Sequence, residues 1–390
     1  FPRAIPSTKE TPILTLIVNY IGCSFQKGPM RLMLHHLPTE LWRHLVPLKH
    51  VDIKTNLRFL IVPIVTLVLS TVPHAVGAQD SAVTIMYSKI GSAEGASTEI
   101  SMFENHLAYL SSGNYQVMPL PQILATLRNG GAIPQDAIAI TFDGGDRSIY
   151  TEAWPRLKNL GFTFTVFIAT DFVDTGSADY MTWDHLRELA SSGITIGTLG
   201  ARYNHLATID KTDASQDIAR ANQRITDEIG IAPELFAYPF GEYSASLQQI
   251  VANYGHSAAF GQHSGVVHSG SDYLALPRYP LISAYSSMSR FKTIVDTLPL
   301  PITDLVPTEP LLADNPPTLG FTVAADVGSL ERLACYLGGV GKLITQQLGP
   351  SRIEVRFPSV LPKGRNRINC TLPGPESRWR WFGLQFLVTE

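Results

Sequence analysis

A lone carboxylate at the end of an apolar run is the strongest chemical signal in this chain. Residues 137–148 read AIAITFDGGDRS. A buried strand over 137–142 would carry Asp143 to its carboxyl end, where a base can face substrate. Other groups able to donate to a metal are scattered. Asp146 and His205 stand alone, and His263 and His268 lie five apart in GQHSGVVHSG. That is not the i, i+4 spacing of a helical metal pair, and the stretch reads as loop, so both are expected to be polar loop residues. Gly144-Gly145 lacks the lysine and hydroxyl of a phosphate loop. No Gly-x-Ser-x-Gly elbow or Cys-x-x-Cys pair occurs.

The surrounding elements alternate. AVTIMY (82–87), AIAITF (137–142), FTFTVFIA (162–169), ITIG (194–197) and LFAYPFG (235–241) read as strands, with SAAFG and LALPRYPL (274–281) as later runs. Helical spacing falls at Ile100, Phe103, Leu107 and Leu110, and again at Tyr150, Ala153, Trp154, Leu157 and Leu160, stopping at Gly161. Further helices are expected near 183–192, 211–229 and 245–254. This repetition predicts an α/β fold with a parallel sheet and helical crossovers. Closed into a barrel, it would hold Asp143 at the working end.

Three ordered segments carry a resemblance. ITFDGGDRSIYTEAWPRLKNLGFTFTVFIATD, GITIGTLGARYNHL and LFAYPFGEYS resemble the polysaccharide deacetylases of carbohydrate esterase family 4, including the nodulation-type chitooligosaccharide deacetylases. The resemblance covers about 82–285. It implies a distorted (β/α) barrel and hydrolysis of the C–N amide bond of N-acetylated sugars. In that family zinc or another divalent metal, held by one Asp and two His, polarises the amide and activates water. A second Asp serves as base and a His as acid.

Carried over by position, Asp143 falls on the base and Gly144 on the metal-binding carboxylate. Leu199 and Tyr203 fall on the two metal histidines. In a permuted branch of the family a Tyr-His pair ends the first strand; here Ser88 stands in the histidine's place, and a serine hydroxyl does not donate a proton near neutral pH. Tyr238, Pro239 and Phe240 match the groove wall, Ala237 stands where many relatives have Arg, and Arg278 is a candidate to orient Asp143. Without a metal, water keeps a pKa near ~15.7 instead of ~7. General-base help of typically ~10²–10⁴-fold does not close that gap. No cofactor is therefore assigned. Three readings stand: a family member with impaired hydrolysis that binds N-acetylated glycan or serves as a partner protein; an active N-deacetylase of chitooligosaccharide, peptidoglycan or exopolysaccharide with an atypical site; or a decayed copy.

The ends read differently. Lys49, Lys54 and Arg58 precede the apolar core 59–72, then PHAVGA, the order of a secretory signal cleaved after Ala78. About 14 apolar residues fall short of the ~20 of a spanning helix, so membrane contact is expected only in transit, and the protein is expected to be exported, periplasmic or extracellular. Residues 1–78 are read as extension plus signal, with translation from Met30 or Met33 as an option, and 79–297 as the deacetylase-like domain. Residues 298–317, with six prolines, are read as a stiff linker, and 318–390 as a small β-rich domain. There RWRWFGLQFLV (378–388) suits a strand, with Trp379 and Trp381 in core packing rather than on sugar. The 390 residues carry 30 basic and 33 acidic side chains, a net −3, with 45% hydrophobic. That balance fits a globular chain and disfavours nucleic acid. Of three cysteines, Cys335 and Cys370 are left either bonded or free.

Overall fold

A computed structural model describes residues 80–91 and 95–389, which lie in one compact unit. The signal-like core at 59–72 and the rest of 1–79 lie outside the described residues. The first layer is a curled, mainly parallel sheet. Strands Ser81–Tyr87, Ala137–Gly144, Thr165–Ile168, Thr195–Thr198, Leu235–Ala237 and Ala258–Phe260 lie side by side in chain order. Leu276 bridges to Phe260, and Tyr279–Pro280 pairs with Ser81–Tyr87. The segment 276–280 thus spans from the last strand to the first and draws the sheet into a barrel.

Strand alternation sorts the core. Ile138, Ile140 and Phe142 face outward onto Phe103, Leu107, Leu157 and Leu189 of the surrounding helices. Ala137 and Ala139 face inward with Phe167, Leu199, Leu235 and Phe260. Small alanines and two leucines fill a narrow lumen beside two phenylalanines. Local signals fix the helices. Thr182 and His185 form a reciprocal cap at Trp183–Ser191, Asp210 accepts from Thr212 N at Lys211–Ile229, and Gly230 ends that helix at φ 82°. The helix expected over 150–160 opens as a π turn, Ile149–Ala153, before Trp154–Asn159. Helices Leu120–Arg128 and Met288–Val295 add to those expected.

Two corrections concern the second half of the chain. The proline-rich stretch 298–317 is no free linker. Leu298–Pro299 pairs with Trp379–Val388, and Ile302–Val306 pairs with Leu319–Val323. Leu298 and Leu300 are buried. Proline is tolerated there because it lies at a sheet edge, where no ladder donor is required. The GQHSGVVHSG stretch is not all loop either, since Val267–His268 pairs antiparallel with Ser81–Tyr87.

The C-terminal region is a sandwich of a five-stranded and a four-stranded sheet. Phe321, Val323, Ile353 and Val355 meet Ile368, Leu372, Leu384 and Phe386 between them. Cys335 and Cys370 lie opposite each other on adjacent strands and are bonded. The outer face of the five-stranded sheet packs on the barrel. Gln385 Nε2 donates to Gly241 O at 2.9 Å, Arg367 Nη2 to Gln262 Oε1 at 3.2 Å, and Trp381 sets its edge on Tyr279 at 5.6 Å. Gly383 lies so close to the Ser264 carbonyl that any side chain would clash. Trp381 therefore packs inward, whereas Trp379 stays 40% exposed.

Several histidines are buried in this framework. His106 Nε2 donates to Ser286 O at 2.8 Å, leaving Nδ1 to accept from the Tyr87 hydroxyl at 2.9 Å. Burial lowers His106, His256, His263 and His268 from 6.5 to about 4 each. Between pH 6.5 and 4 the unfolded chain thus binds more protons than the folded one. Their contribution is complete above 6.5 and is lost as pH falls through that window. The thermal midpoint should drop steadily from pH 6.5 to 4, and His106→Gln should flatten part of the slope. A midpoint flat across that window would contradict this.

Candidate functional site

Asp143 is the last lumen-facing residue of Ala137–Gly144, after Ala137, Ala139 and Thr141. Its carboxylate is 1% exposed and meets Arg278, which is 0% exposed. Arg278 Nη1 donates to Oδ1 at 2.6 Å and Nη2 to Oδ2 at 2.8 Å, a fork-to-fork pair. Arg278 Nε donates to Gly261 O at 3.0 Å, and Nη1 also reaches Thr141 Oγ1 at 3.3 Å. The guanidinium lies 5.2 Å from the Phe167 ring centre and 5.8 Å from that of Phe260. Both carboxylate oxygens are therefore engaged inside an aromatic cage. Arg278 comes from the segment that draws the barrel together, so this pair ties the first half of the sheet to its last crossing.

Above the pair opens a cleft of ≈410 Å³. Ser88, Gly144, Tyr203 and Phe240 line it with Asp143. Ser88 Oγ donates to Asp143 O at 3.2 Å. Gly144 has φ 109°, a region side chains rarely adopt, and it offers no donor. Leu199 is 0% exposed and packs in the lumen with Phe167, Leu235 and Phe260. Tyr203, itself at φ 54°, meets the Phe240 ring edge-on, with ring centres 4.7 Å apart. Burial, helped by the Asp143 charge, pushes its phenol up to about 12, so it stays protonated at neutral pH. Tyr238 is buried with its hydroxyl donating to Leu274 O, and Pro239 is buried beside it, so these two support Phe240 from behind.

The remaining candidates do not converge. His205 is more than half exposed, stacked on Phe240 at 4.4 Å, with Nδ1 2.7 Å from Glu242 Oε2. Asp146 lines the cleft, but its Oδ1 accepts from Ser148 N and Oγ at 2.9 and 2.6 Å. His263 and His268 line a separate cavity of ≈300 Å³ with Tyr243 and Trp381, which shares no wall residue with the Asp143 cleft. Among the described residues, no three His, Cys, Asp or Glu side chains gather to hold a metal ion. A glycine, a core leucine and a protonated phenol do not fit a zinc or other divalent ion, which takes thiolate, imidazole or carboxylate.

Several cleft residues escaped the sequence reading. Phe172, on the short helix Thr170–Asp174, and Tyr180 beyond it follow strand Thr165–Ile168, and the strand-end rule that found Asp143 would have pointed to them. Lys89 follows the first strand in the same way. Arg365 reaches the cleft from the sandwich. No local signal marks it, because it depends on how two distant regions dock.

A curled parallel sheet with its polar groups at the strand carboxyl ends defines the class of (β/α)-barrel domains. Residues 130–259 match the family model described as Polysaccharide deacetylase. The Escherichia coli (strain K12) poly-beta-1,6-N-acetyl-D-glucosamine N-deacetylase is 22% identical over 244 residues, covering 52% of this chain and 36% of that protein, so the chain spans about a third of that relative. The Streptococcus pyogenes deacetylase PplD, solved in complex with acetate, superposes with TM-score 0.52 at 17% identity, over 56% of this chain and 99% of that one. IcaB from Ammonifex degensii gives 0.51 at 20%, over 56% and 97%. At these identities the structures speak for the fold. Through its barrel, the chain is thus similar to the polysaccharide deacetylases, with the match to the family model confined to residues 130–259.

The Asp143–Arg278 pair generates a stability prediction. Arg278→Met leaves a buried carboxylate without its partner and should cost about 3–5 kcal/mol. Asp143→Leu combined with Arg278→Met should recover most of that loss. Urea denaturation of the two single variants and the double variant measures the coupling. Additive effects would show that the pair does not act as a unit.

Proposed function

We propose that this protein is an exported member of the polysaccharide deacetylase family that binds N-acetylated glycan with its hydrolytic chemistry lost or severely reduced. The observation that carries the reading is Leu199, sealed in the lumen where a metal-binding imidazole would be needed. Gly144 and Tyr203 remove the other two donors, and Ser88 leaves no acid for the departing amine. Asp143 keeps its place, but both of its oxygens are held by Arg278. What persists is the cleft with its aromatic wall, on which the apolar face of a sugar ring can rest. The poly-N-acetylglucosamine named for the E. coli relative makes that polymer, with chitooligosaccharide, the first ligand to test. The Cys335–Cys370 bond supports an oxidising, exported setting.

Binding and amine release from β-1,6- and β-1,4-linked N-acetylglucosamine oligomers, with zinc added, separate the readings. Saturable binding with amine release at the buffer rate is expected. Zinc-stimulated turnover would reject the impaired reading in favour of an atypical active site. The joint variant Ser88→His, Gly144→Asp, Leu199→His and Tyr203→His should take up zinc and be thermally stabilised by it. A zinc site is worth about 10–16 kcal/mol, against ~1–3 kcal/mol of strain from placing Asp at the Gly144 backbone geometry. No zinc uptake by this variant in folded form would show that these are not the family's ligand positions.

A further inference from the structure

Cations outnumber free carboxylates around the cleft. Arg365, on the cleft wall, has its Nε 3.6 Å from Glu242 Oε1, but the other oxygen of Glu242 is taken by His205 Nδ1. Arg367, on the same face of the same strand as Arg365, is held only by neutral amides. Its Nε donates to Gln385 Oε1 at 3.0 Å and its Nη2 to Gln262 Oε1 at 3.2 Å, and Gln262 itself lines the cleft. Arg290 lies over the Tyr285 ring at 5.4 Å, with a buried Nε that meets no acceptor among the described residues. Arg367 feels the charge of both Arg365 and Arg290, and burial lowers Arg290 and Arg367 from the usual guanidinium range. Lys89 stands on the cleft wall with no ion pair among the described residues. Of the carboxylates on the cleft wall, Asp143 is neutralised by Arg278, and Asp146, held only by the neutral Ser148, keeps its charge. Buried guanidiniums held only by neutral groups, as Arg367 and Arg290 are, cost free energy, which an anion bound nearby would return.

We propose that the cleft takes an acidic glycan, an N-acetylated saccharide whose neighbouring sugar carries a carboxylate. Arg365 and Lys89 receive that carboxylate, while Tyr203 and Phe240 support the ring. Arg367 and Arg290 raise the local potential from behind, and Gln262 fixes Arg367 in place. A planar guanidinium suits a carboxylate better than it suits a neutral hydroxyl. On this account the sandwich supplies part of the site, since Arg365 belongs to it. The inference rests on the glycan-binding reading above and specifies its ligand.

Calorimetric titration of two oligosaccharides of equal length tests it: a neutral β-1,4 N-acetylglucosamine oligomer and one alternating N-acetylglucosamine with glucuronate. The wild-type chain should bind the acidic probe about tenfold more tightly. That preference should shrink as salt rises from about 50 to about 500 mM. Arg365→Gln should abolish it and Lys89→Gln should reduce it, read in each variant as the ratio of the two probes' affinities. Equal affinity for the two probes, or a preference that survives both substitutions, overturns the inference and leaves the glycan-binding reading standing. Binding of neither probe removes both.

Discussion

The buried pair of Asp143 and Arg278 is the constraint on which the site depends. A strand-end carboxylate in a barrel lumen is costly to desolvate and needs a charged partner. The segment that spans from the last strand back to the first brings one. Arg278 meets both oxygens of Asp143 from there, and its remaining donors go to Thr141 and the Gly261 carbonyl. Closure of the sheet and orientation of Asp143 are thus one interaction. The same geometry that fixes the carboxylate also occupies it, which suits a structural pin better than a base waiting for water.

The lumen around this pin has been filled rather than left open. Leu199 contributes apolar volume beside Phe167 and Phe260, and Tyr203 caps it with a phenol that stays protonated. The sandwich then shapes the outer wall. Its five-stranded sheet holds the Phe240–Gly241 backbone through Arg365 and Gln385, and Gly383 permits the close approach. Cleft and sandwich are one construction, so the C-terminal region supplies part of the cleft wall through Arg365.

Much of the barrel was legible because its signals are local. The run at 137–142 is strand-like throughout, and the helices at 183–192 and 211–229 carry caps within a residue of their observed ends. Asp143 is legible because strand ends are where such sites form, whereas the groove wall through Phe240 rests on the family resemblance. Contacts between distant residues were less legible. Arg278 was only a candidate, since it meets Asp143 across 135 residues with no periodicity to announce it. The proline-rich stretch misled because composition reports backbone stiffness and not the edge pairing that two short strands find in context. Arg365, Arg367 and Arg290 lie in unrelated segments, and their shared charge exists only once the sandwich docks.

In the function proposed above, the chain acts through its cleft and without the metal shell of the polysaccharide deacetylases. Elemental analysis of the protein purified without chelators tests it most directly. The account predicts zinc and other divalent metals well below one per chain, with no change in His205→Ala or His263→Ala. One firmly held metal per chain, lost on either substitution, would contradict it.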